Sequence, residues 1–453
     1  MDFDVKQKRV TVAGAARSGL AAAELLARRG ARVTLSESSP DVPAPERLTS
    51  LGVALEAGGH RPATFELADL IVLSPGVPPE QPAIAAARSR GVPVIAEIEL
   101  ASRWLLGRVI AITGTKGKST TTALTGRILE TAGFHVTVGG NIGLPLSAQV
   151  DASTAETLHV VETSSFQLEQ IDTFRPWIAV MMNFSPDHLD RHPTIDAYAS
   201  AKARIFENQL TSDWAVVNAD DPMVLEMARR GRAAIRPFGR RHPPTEGTAV
   251  EHDWIVDRRP GGSERLVPLD SIHLLGPHLI EDVMAAATVG VIAGAAPAAM
   301  TAAVESFRGL EHAMEFVAAI DSVRFVNDSK ATNVESALRS IESFESDLVP
   351  ILGGRFKGGD LRLLRRPLSD RAKAVVAIGE ARPLIREALA GAVEVYEEDS
   401  LRGAVRRAYA LAHPSGVVLL APACSSFDMF RDYAERGTRF KEEVGVLARR
   451  NEM

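Results

Sequence analysis

Cysteine is almost missing: Cys424 is the single one in 453 residues, so an intramolecular disulfide framework is excluded and a reducing compartment is expected. The opening stretch MDFDVKQKRVTVAG lacks the charged-then-apolar pattern of a secretory signal. Charge of one sign never accumulates. Lys and Arg total 51 against 57 Asp and Glu, a net charge of −6 without a like-charge block, which argues against a nucleic-acid partner. Long apolar runs are absent too. The one extended uncharged stretch, 283–304, is mostly Ala and Gly and contains Pro297; two short packed helices fit it, and a membrane span does not. No internal repeat is visible. The expectation is a cytoplasmic protein with neither a membrane nor a nucleic-acid partner. What is present is material for several cores, with 45% apolar and 24% charged residues and a length that suggests about three domains.

Short β-rich runs alternate with helical stretches from Arg9 onward: RVTVAG, a helix over 18–29, ARVTLSE, ADLIVLSPG, a helix over 81–90, and VPVIAE. Such βαβ alternation predicts a parallel sheet covered by helices. A second unit opens with RVIAITG and runs through TLHVVETSS, PWIAVMMNFS and DWAVVNAD. The Pro-, Gly- and charge-rich text of 240–275 reads as hairpins or loops on that unit, followed by a helical pair over 277–306. A third alternation follows FRGLEHAMEFV, through VRFVNDS, LVPILGG, AKAVVAIG, VEVYE and GVVLLAPA. The expected fold is α/β in three domains: Rossmann-like over 1–105, a central P-loop ATPase-type parallel sheet over 106–306, and a second Rossmann-like domain over 307–453.

The strongest local signal is ITGTKGKSTTT, 112–122, between an apolar strand and an amphipathic helix. Gly114 and Gly117 let the backbone of Thr115 and Lys116 curl so that successive N–H groups face an anion at the start of the helix. Lys118 is placed for β- and γ-phosphates, and Ser119 or Thr120 offers a hydroxyl to magnesium. It is a variant loop, because the common pattern has Gly where this chain has Ile112. Two later strands end in acidic or polar clusters, Glu162 in ETSS and then Asp187, His188, Asp190 and Arg191 in SPDHLDRH; carboxylates there suit a magnesium ion. Lys202 sits among small residues in YASAKARIF, a setting in which a lysine ordinarily faces solvent.

GTKGKST, GNIG, ETSSFQLE, NFSPDHLDRH, the Lys202 segment, NDSKATN, GGRFKGGD and APACSSFD occur in this order, and together they resemble the Mur ligases across essentially the whole chain. The resemblance is greatest to members that act on D-glutamate; the DNPR-type motif of the diaminopimelate or lysine ligases is absent. It implies ATP-dependent ligation of D-glutamate to UDP-N-acetylmuramoyl-L-alanine through an acyl phosphate, in a monomer, with ATP and two magnesium ions. By the same resemblance Lys118 and the loop amides hold phosphates. Ser119 and Glu162 hold one magnesium, His188 helps to hold a second, and Lys202 carries a carbamate whose anionic oxygens suit the metal where an ammonium would repel it. Arg17, Ser18, Glu37, Ser38, Ser39, Ser74, Pro75, Gly76, Asn141 and His188 match positions that meet the UDP-muramoyl substrate. Asp282, Asp328 and Lys330 match ATP contacts. Thr332, Lys357, Ser426 and Tyr433 match positions for D-glutamate, with Asn333 beside them; a lysine and hydroxyls are what two carboxylates require. Catalysis would need closure about a hinge near 307–312.

Departures from the family pattern accompany the match. GAARSG keeps the outer glycines of a dinucleotide loop but has Ala16 in the middle, which argues against close approach by NAD. Ser39 stands where some members have arginine, Ala313 where the family has arginine beside His312, and Leu279 and Asp282 where it has two asparagines; Arg308 or Arg324 lies near enough in sequence to compensate for the second. A related amide ligase with another acceptor or amino acid, and a non-enzymatic nucleotide-binding regulator, stay open as alternatives.

Overall fold

Strands that are buried on both faces read as continuous apolar runs rather than alternating ones, and RVIAIT, LHVVE and LVPILG are buried at nearly every position. The chain is described here from a computed structural model covering residues 3–40, 42, 45–185, 191–272 and 279–451. Residues up to 272 with 280–306 make one compact unit, and Leu279 with the chain from Phe307 makes another.

The first unit holds two sheets. β1 (Arg9–Ala13), β2 (Arg32–Ser36), β3 (Ala54–Glu56), β4 (Leu70–Leu73) and β5 (Val94–Ala96) form a parallel sheet in the order β3-β2-β1-β4-β5. The chain fills one side of β1 and then crosses to the other, so the loop after β1 lies where strand order reverses, the usual ligand crevice of an open α/β sheet. The second sheet repeats the device. β6 (Arg108–Thr113), β7 (Val136–Gly140), β8 (Leu158–Glu162), β9 (Ile178–Met181), β10 (Trp214–Asn218), β11 (Ala234–Gly239), β12 (Gly247–Glu251), β13 (Trp254–Arg259) and β14 (Gly262–Pro268) take the order β14-β13-β12-β11-β10-β9-β6-β8-β7. β6 pairs in parallel with both β8 and β9, which puts the loop at Gly114 at the second crossover point. The segment expected as hairpins or loops folds as hairpins: β12, β13 and β14 pair antiparallel in succession and extend the sheet as its edge.

The two sheets share a seam. The helix Glu97–Ser102 follows β5 directly, and Ile98 and Ala101 join the core of the second sheet with Phe174, Met181 and Phe206. Truncating one such side chain to Ala costs about 3–5 kcal/mol for a phenylalanine. Two carboxylates of this helix are buried. Glu99 accepts from the N–H groups of Asp172, Thr173 and Phe174 at 2.8, 3.0 and 2.7 Å and from Arg103 at 2.7 Å; burial alone would raise its pKa, and these donors hold it below the usual value. Glu97 accepts from Ser147 N at 2.6 Å while Oε2 has no partner, and burial lifts it to about 7.

The second unit has one sheet: β15 (Glu315–Ile320), β16 (Val323–Asn327), β17 (Leu348–Gly353), β18 (Val375–Ile378), β19 (Val395–Glu397) and β20 (Gly416–Leu420), in the order β15-β16-β20-β17-β18-β19. Only β15 is antiparallel, a hairpin partner of β16 that sequence reading did not separate from its approach segment. β20 lies between β16 and β17, so the loops after these three strands, which carry NDSKATN, GGRFKGGD and APACSSFD, leave the sheet side by side. Apolar clusters cover both faces. No helix among the described residues is long and apolar enough to cross a membrane.

Candidate active site

The loop after β6 turns on two glycines. Gly114 (φ 152°) passes so close to Met182 that a Cβ would clash at 2.8 Å, and Gly117 (φ 79°) takes the left-handed conformation as the cap of the helix Lys118–Thr131. No side chain caps this helix. The helix start carries the partial positive charge that favours an anion. Asn183 fixes the approach: its Oδ1 accepts from Thr115 N at 3.1 Å and Lys116 N at 2.8 Å, and its Nδ2 donates to Lys116 O at 3.1 Å. Thr115 Oγ1 exchanges hydrogen bonds with Ser185 and approaches the Tyr198 hydroxyl at 3.3 Å. Sequence reading quoted Asn183 within NFSPDHLDRH without giving it a role; an asparagine ending the neighbouring strand is the one available signal. Ser119 and Thr120 lie half-buried on the first turn.

Two lysines meet on one carbonyl. Lys118 Nζ donates to Gly114 O at 2.9 Å and to Thr115 O at 3.0 Å, while Lys202 Nζ donates to Gly114 O at 2.7 Å. Lys202 is 1% exposed and its ammonium lies 4.9 Å from the Tyr198 ring centre, so the solvent-facing lysine usual in such a helix is replaced by a buried one. Two like charges sharing an acceptor repel.

Glu162 ends β8 with 2% exposure. Oε1 accepts from Asn141 Nδ2 at 2.7 Å, and Oε2 is buried with no partner. A buried orphan carboxylate oxygen is a hard donor fit for magnesium, and the half-buried Ser119 hydroxyl is compatible with the same ion. Among the described residues no three His, Cys, Asp or Glu side chains already converge as metal ligands. His188, with Asp187 and Asp190, lies outside the described residues. Asp282, on the helix Leu279–Ala293, backs onto Gly117, where an added Cβ would strike its Oδ1. Its Oδ2 is buried without a partner, and burial holds its carboxyl well above the usual range.

The loop after β1 has the same outline and different contents. Gly14 (φ 92°) turns the chain, and Gly19 packs against Gly14 O with no room for a side chain. Ala16 caps the helix Arg17–Arg28 in an extended conformation (φ −74°) open to any residue. Glu37 fills the crevice: Oε2 accepts from Ala15 N at 2.6 Å, and Oε1 accepts from Ser39 N and Ser38 Oγ, each at 2.9 Å. Burial opposes its ionisation and these donors outweigh it, so its pKa is lowered. Ser74 is buried and donates to Gly14 O at 3.0 Å. Ser38, Ser39, Gly76, Arg17 and Asn141 are exposed, with Ser18 and Pro75 half-buried; Arg17 donates to Gly143 O at 3.3 Å, beside Asn141.

In the second unit Asp328 is buried after β16, accepting from Met314 N at 3.2 Å and from Ser340 Oγ, and burial raises its pKa. Lys330 and Lys357 project into solvent, Thr332 is half-buried, and Asn333 caps the helix Val334–Glu342. Ser426 is buried in the loop after β20, and Tyr433 is 40% exposed at the start of the helix Tyr433–Asn451. His312 packs edge-on to Tyr433 at 6.4 Å, its pKa lowered by burial. Arg436, one turn past Tyr433, is 1% exposed and lies beneath all three loops; sequence reading missed it, since a single arginine in a polar helix gives no sign of burial.

A glycine-turned loop opening an uncapped helix, a buried carboxylate with an open oxygen and a buried lysine beside them fit a nucleotide-using enzyme of the α/β class. Residues 8–96, 112–290 and 312–424 match family models for, respectively, the "Mur ligase MurD-like, N-terminal domain", the "Mur ligase middle domain" and the "Mur ligase, glutamate ligase domain". The chain belongs to the Mur ligase family. It is 45% identical to the UDP-N-acetylmuramoylalanine–D-glutamate ligase of Koribacter versatilis, over 98% of this chain and 99% of that one. It is 47% identical to the protein of the same name from Acidobacterium capsulatum, over 98% and 97%. Among solved structures, the UDP-N-acetylmuramate-alanine ligase MurC of Thermotoga maritima shares the fold with a TM-score of 0.59 at 20% identity, over 97% of this chain and 99% of that one.

Proposed function

We propose that this chain joins the amine of D-glutamate to the alanine carboxylate of UDP-N-acetylmuramoyl-L-alanine, with ATP converted to ADP and phosphate, in peptidoglycan precursor synthesis. The observation that carries the reading is the meeting of Lys118 and Lys202 at Gly114 O, at the mouth of an uncapped helix, in a chain nearly half identical to ligases of that name.

A carboxylate is a poor acyl donor, so it first takes the γ-phosphoryl group; the amine then displaces phosphate from the acyl phosphate through a tetrahedral intermediate. Lys118 and the open N–H groups of the helix start gather charge on the transferring phosphoryl group. Magnesium, when bound, would neutralise charge on the phosphates; Glu162 Oε2 and Ser119 would hold one ion and His188 a second. A carbamate on Lys202 keeps one N–H, enough for the bond to Gly114 O, and adds anionic oxygens where two cations otherwise crowd. Arg17, Ser18, Ser38, Ser39, Ser74, Pro75, Gly76 and Asn141 form the UDP-muramoyl site within 1–105 and the edge of 106–306. Asp282, Asp328 and Lys330 contact ATP. Within 307–453, Thr332, Lys357, Ser426 and Tyr433 receive D-glutamate.

The test is phosphate release by the purified protein with magnesium, ATP and UDP-N-acetylmuramoyl-L-alanine, given D-glutamate, L-glutamate, L-lysine or meso-diaminopimelate separately. Release with D-glutamate alone is expected. Release with a different amino acid, or with none, overturns the assignment.

A further inference from the structure

A fully buried guanidinium is costly unless most of its donors are used. Arg436 satisfies its own almost entirely with loop atoms. Nε donates to Ser329 Oγ at 3.0 Å and Nη2 to Ser329 O at 2.9 Å. Nη1 donates to Cys424 O at 3.2 Å and, at longer range, to Gly353 O at 3.4 Å. Ser329 belongs to NDSKATN, Gly353 opens GGRFKGGD, and Cys424 lies in APACSSFD. One planar fork therefore touches the base of each of the three loops that leave β16, β17 and β20. The packing is built around it: a Cβ on Gly354 (φ 128°) would come within 3.2 Å of Nη1. Ser329 Oγ passes the link on by donating to Tyr433 O at 2.7 Å. Burial draws the guanidinium down to about 10, still charged at neutral pH, with Asp428 as a nearby carboxylate.

Other bonds tie these loops only two at a time. Ala423 N donates to Ala331 O at 2.9 Å, and Arg355 and Ser425 exchange backbone bonds of 3.0 Å. Side chains from all three loops, Thr332, Lys357 and Ser426, together with Tyr433, are those assigned above to D-glutamate, and this inference rests on that reading. Two carboxylates on a short ligand must be met at a fixed separation, so an error of an ångström between loops is felt in affinity.

We propose that Arg436 is a positioning residue for the amino-acid substrate, setting the spacing of the three loops that hold the two carboxylates of D-glutamate. It touches no substrate itself. Lysine cannot replace it, because a single ammonium has no planar fork to span Ser329, Gly353 and Cys424 together.

The experiment compares Arg436→Lys and Ser329→Ala with wild type in the D-glutamate-dependent reaction, taking KM for D-glutamate and for UDP-N-acetylmuramoyl-L-alanine separately, with thermal unfolding alongside. The UDP substrate is the internal control, since its proposed contacts lie in the other unit. Arg436→Lys should raise KM for D-glutamate about tenfold, and Ser329→Ala about threefold, with KM for the UDP substrate unchanged. Phe440→Leu, in the apolar core one turn along the same helix, should lower the unfolding temperature without moving KM for D-glutamate. If both KM values rise together, or if Phe440→Leu reproduces the D-glutamate effect, Arg436 is structural only and the proposal falls. An unchanged KM for D-glutamate in Arg436→Lys also ends it. Should Arg436→Lys fail to fold, Ser329→Ala decides by the same criterion. A wild-type protein inactive with D-glutamate fails the functional reading itself, and this inference with it.

Discussion

The loops after β1 and β6 are built alike and behave as opposites. Each follows a strand with parallel neighbours on both sides, at a point where strand order reverses, turns on a positive-φ glycine and opens a helix. After β1, the crevice already holds an anion of the chain's own: the Glu37 carboxylate takes the Ala15 N–H and is kept ionised by Ser38 and Ser39. After β6, two ammoniums crowd the loop and the helix start is left uncapped. The first crevice commits its Ala15 N–H to the chain's own carboxylate, whereas the uncapped helix start after β6 favours an anion. The same supersecondary unit thus has a glutamate set into its turn in one place and two lysines gathered on its turn in the other.

Breaking the second loop should have the largest effect. Lys118→Met removes the cation nearest the transferring phosphate, and D-glutamate-dependent phosphate release should fall by about a thousandfold with the protein still folded; a loss under tenfold would put the phosphate elsewhere. The seam between the two sheets comes next. Glu97 has a folded pKa of about 7, above its ordinary 4.5, so the folded state holds this proton longer than the unfolded one. Stability from this group is whole below pH 4.5 and declines as pH rises to about 7. Glu97→Gln keeps an acceptor for Ser147 N and cannot ionise, so its unfolding free energy should gain on wild type across that window, levelling above pH 7 at about 3 kcal/mol. Denaturant titrations at pH 4.5 and 8 measure this, and an equal difference at both would refute it. The smallest effect sharpens the contrast between loops. Glu37→Gln loses one of its two acceptor oxygens, so either Ala15 N or the Ser38–Ser39 pair is left without its partner; KM for the UDP substrate should rise about tenfold while KM for ATP stays put.

Much of this was legible in the chain. The alternation of runs such as RVIAIT and LVPILG with helical stretches predicted parallel sheets, and Gly114, Gly117 and Lys118 marked a strand–loop–helix turn that the structure builds on those two glycines. What stayed hidden depended on who faces whom. The text of 240–275 showed hairpins or loops without showing that β13 and β14 continue the sheet of β6, and EFVAAI merged with its approach because nothing local marks where that strand begins. Asn183 passed unremarked because its partners, Thr115 and Lys116, lie 68 and 67 residues away.

The sequence by itself determined the alternation of strands and helices over most of the chain, the glycine turns and the residue types that phosphate and carboxylate chemistry need, because those follow from local pattern and charge. Only the tertiary structure decided that Lys202 is buried against Gly114, that Glu162 keeps an open oxygen, that Glu37 fills the loop after β1 and that Arg436 lies under three loops. Burial and hydrogen-bond partnership are set by residues distant in sequence, and the same lysine, glutamate or arginine is a solvated charge or part of a site according to what the fold packs around it.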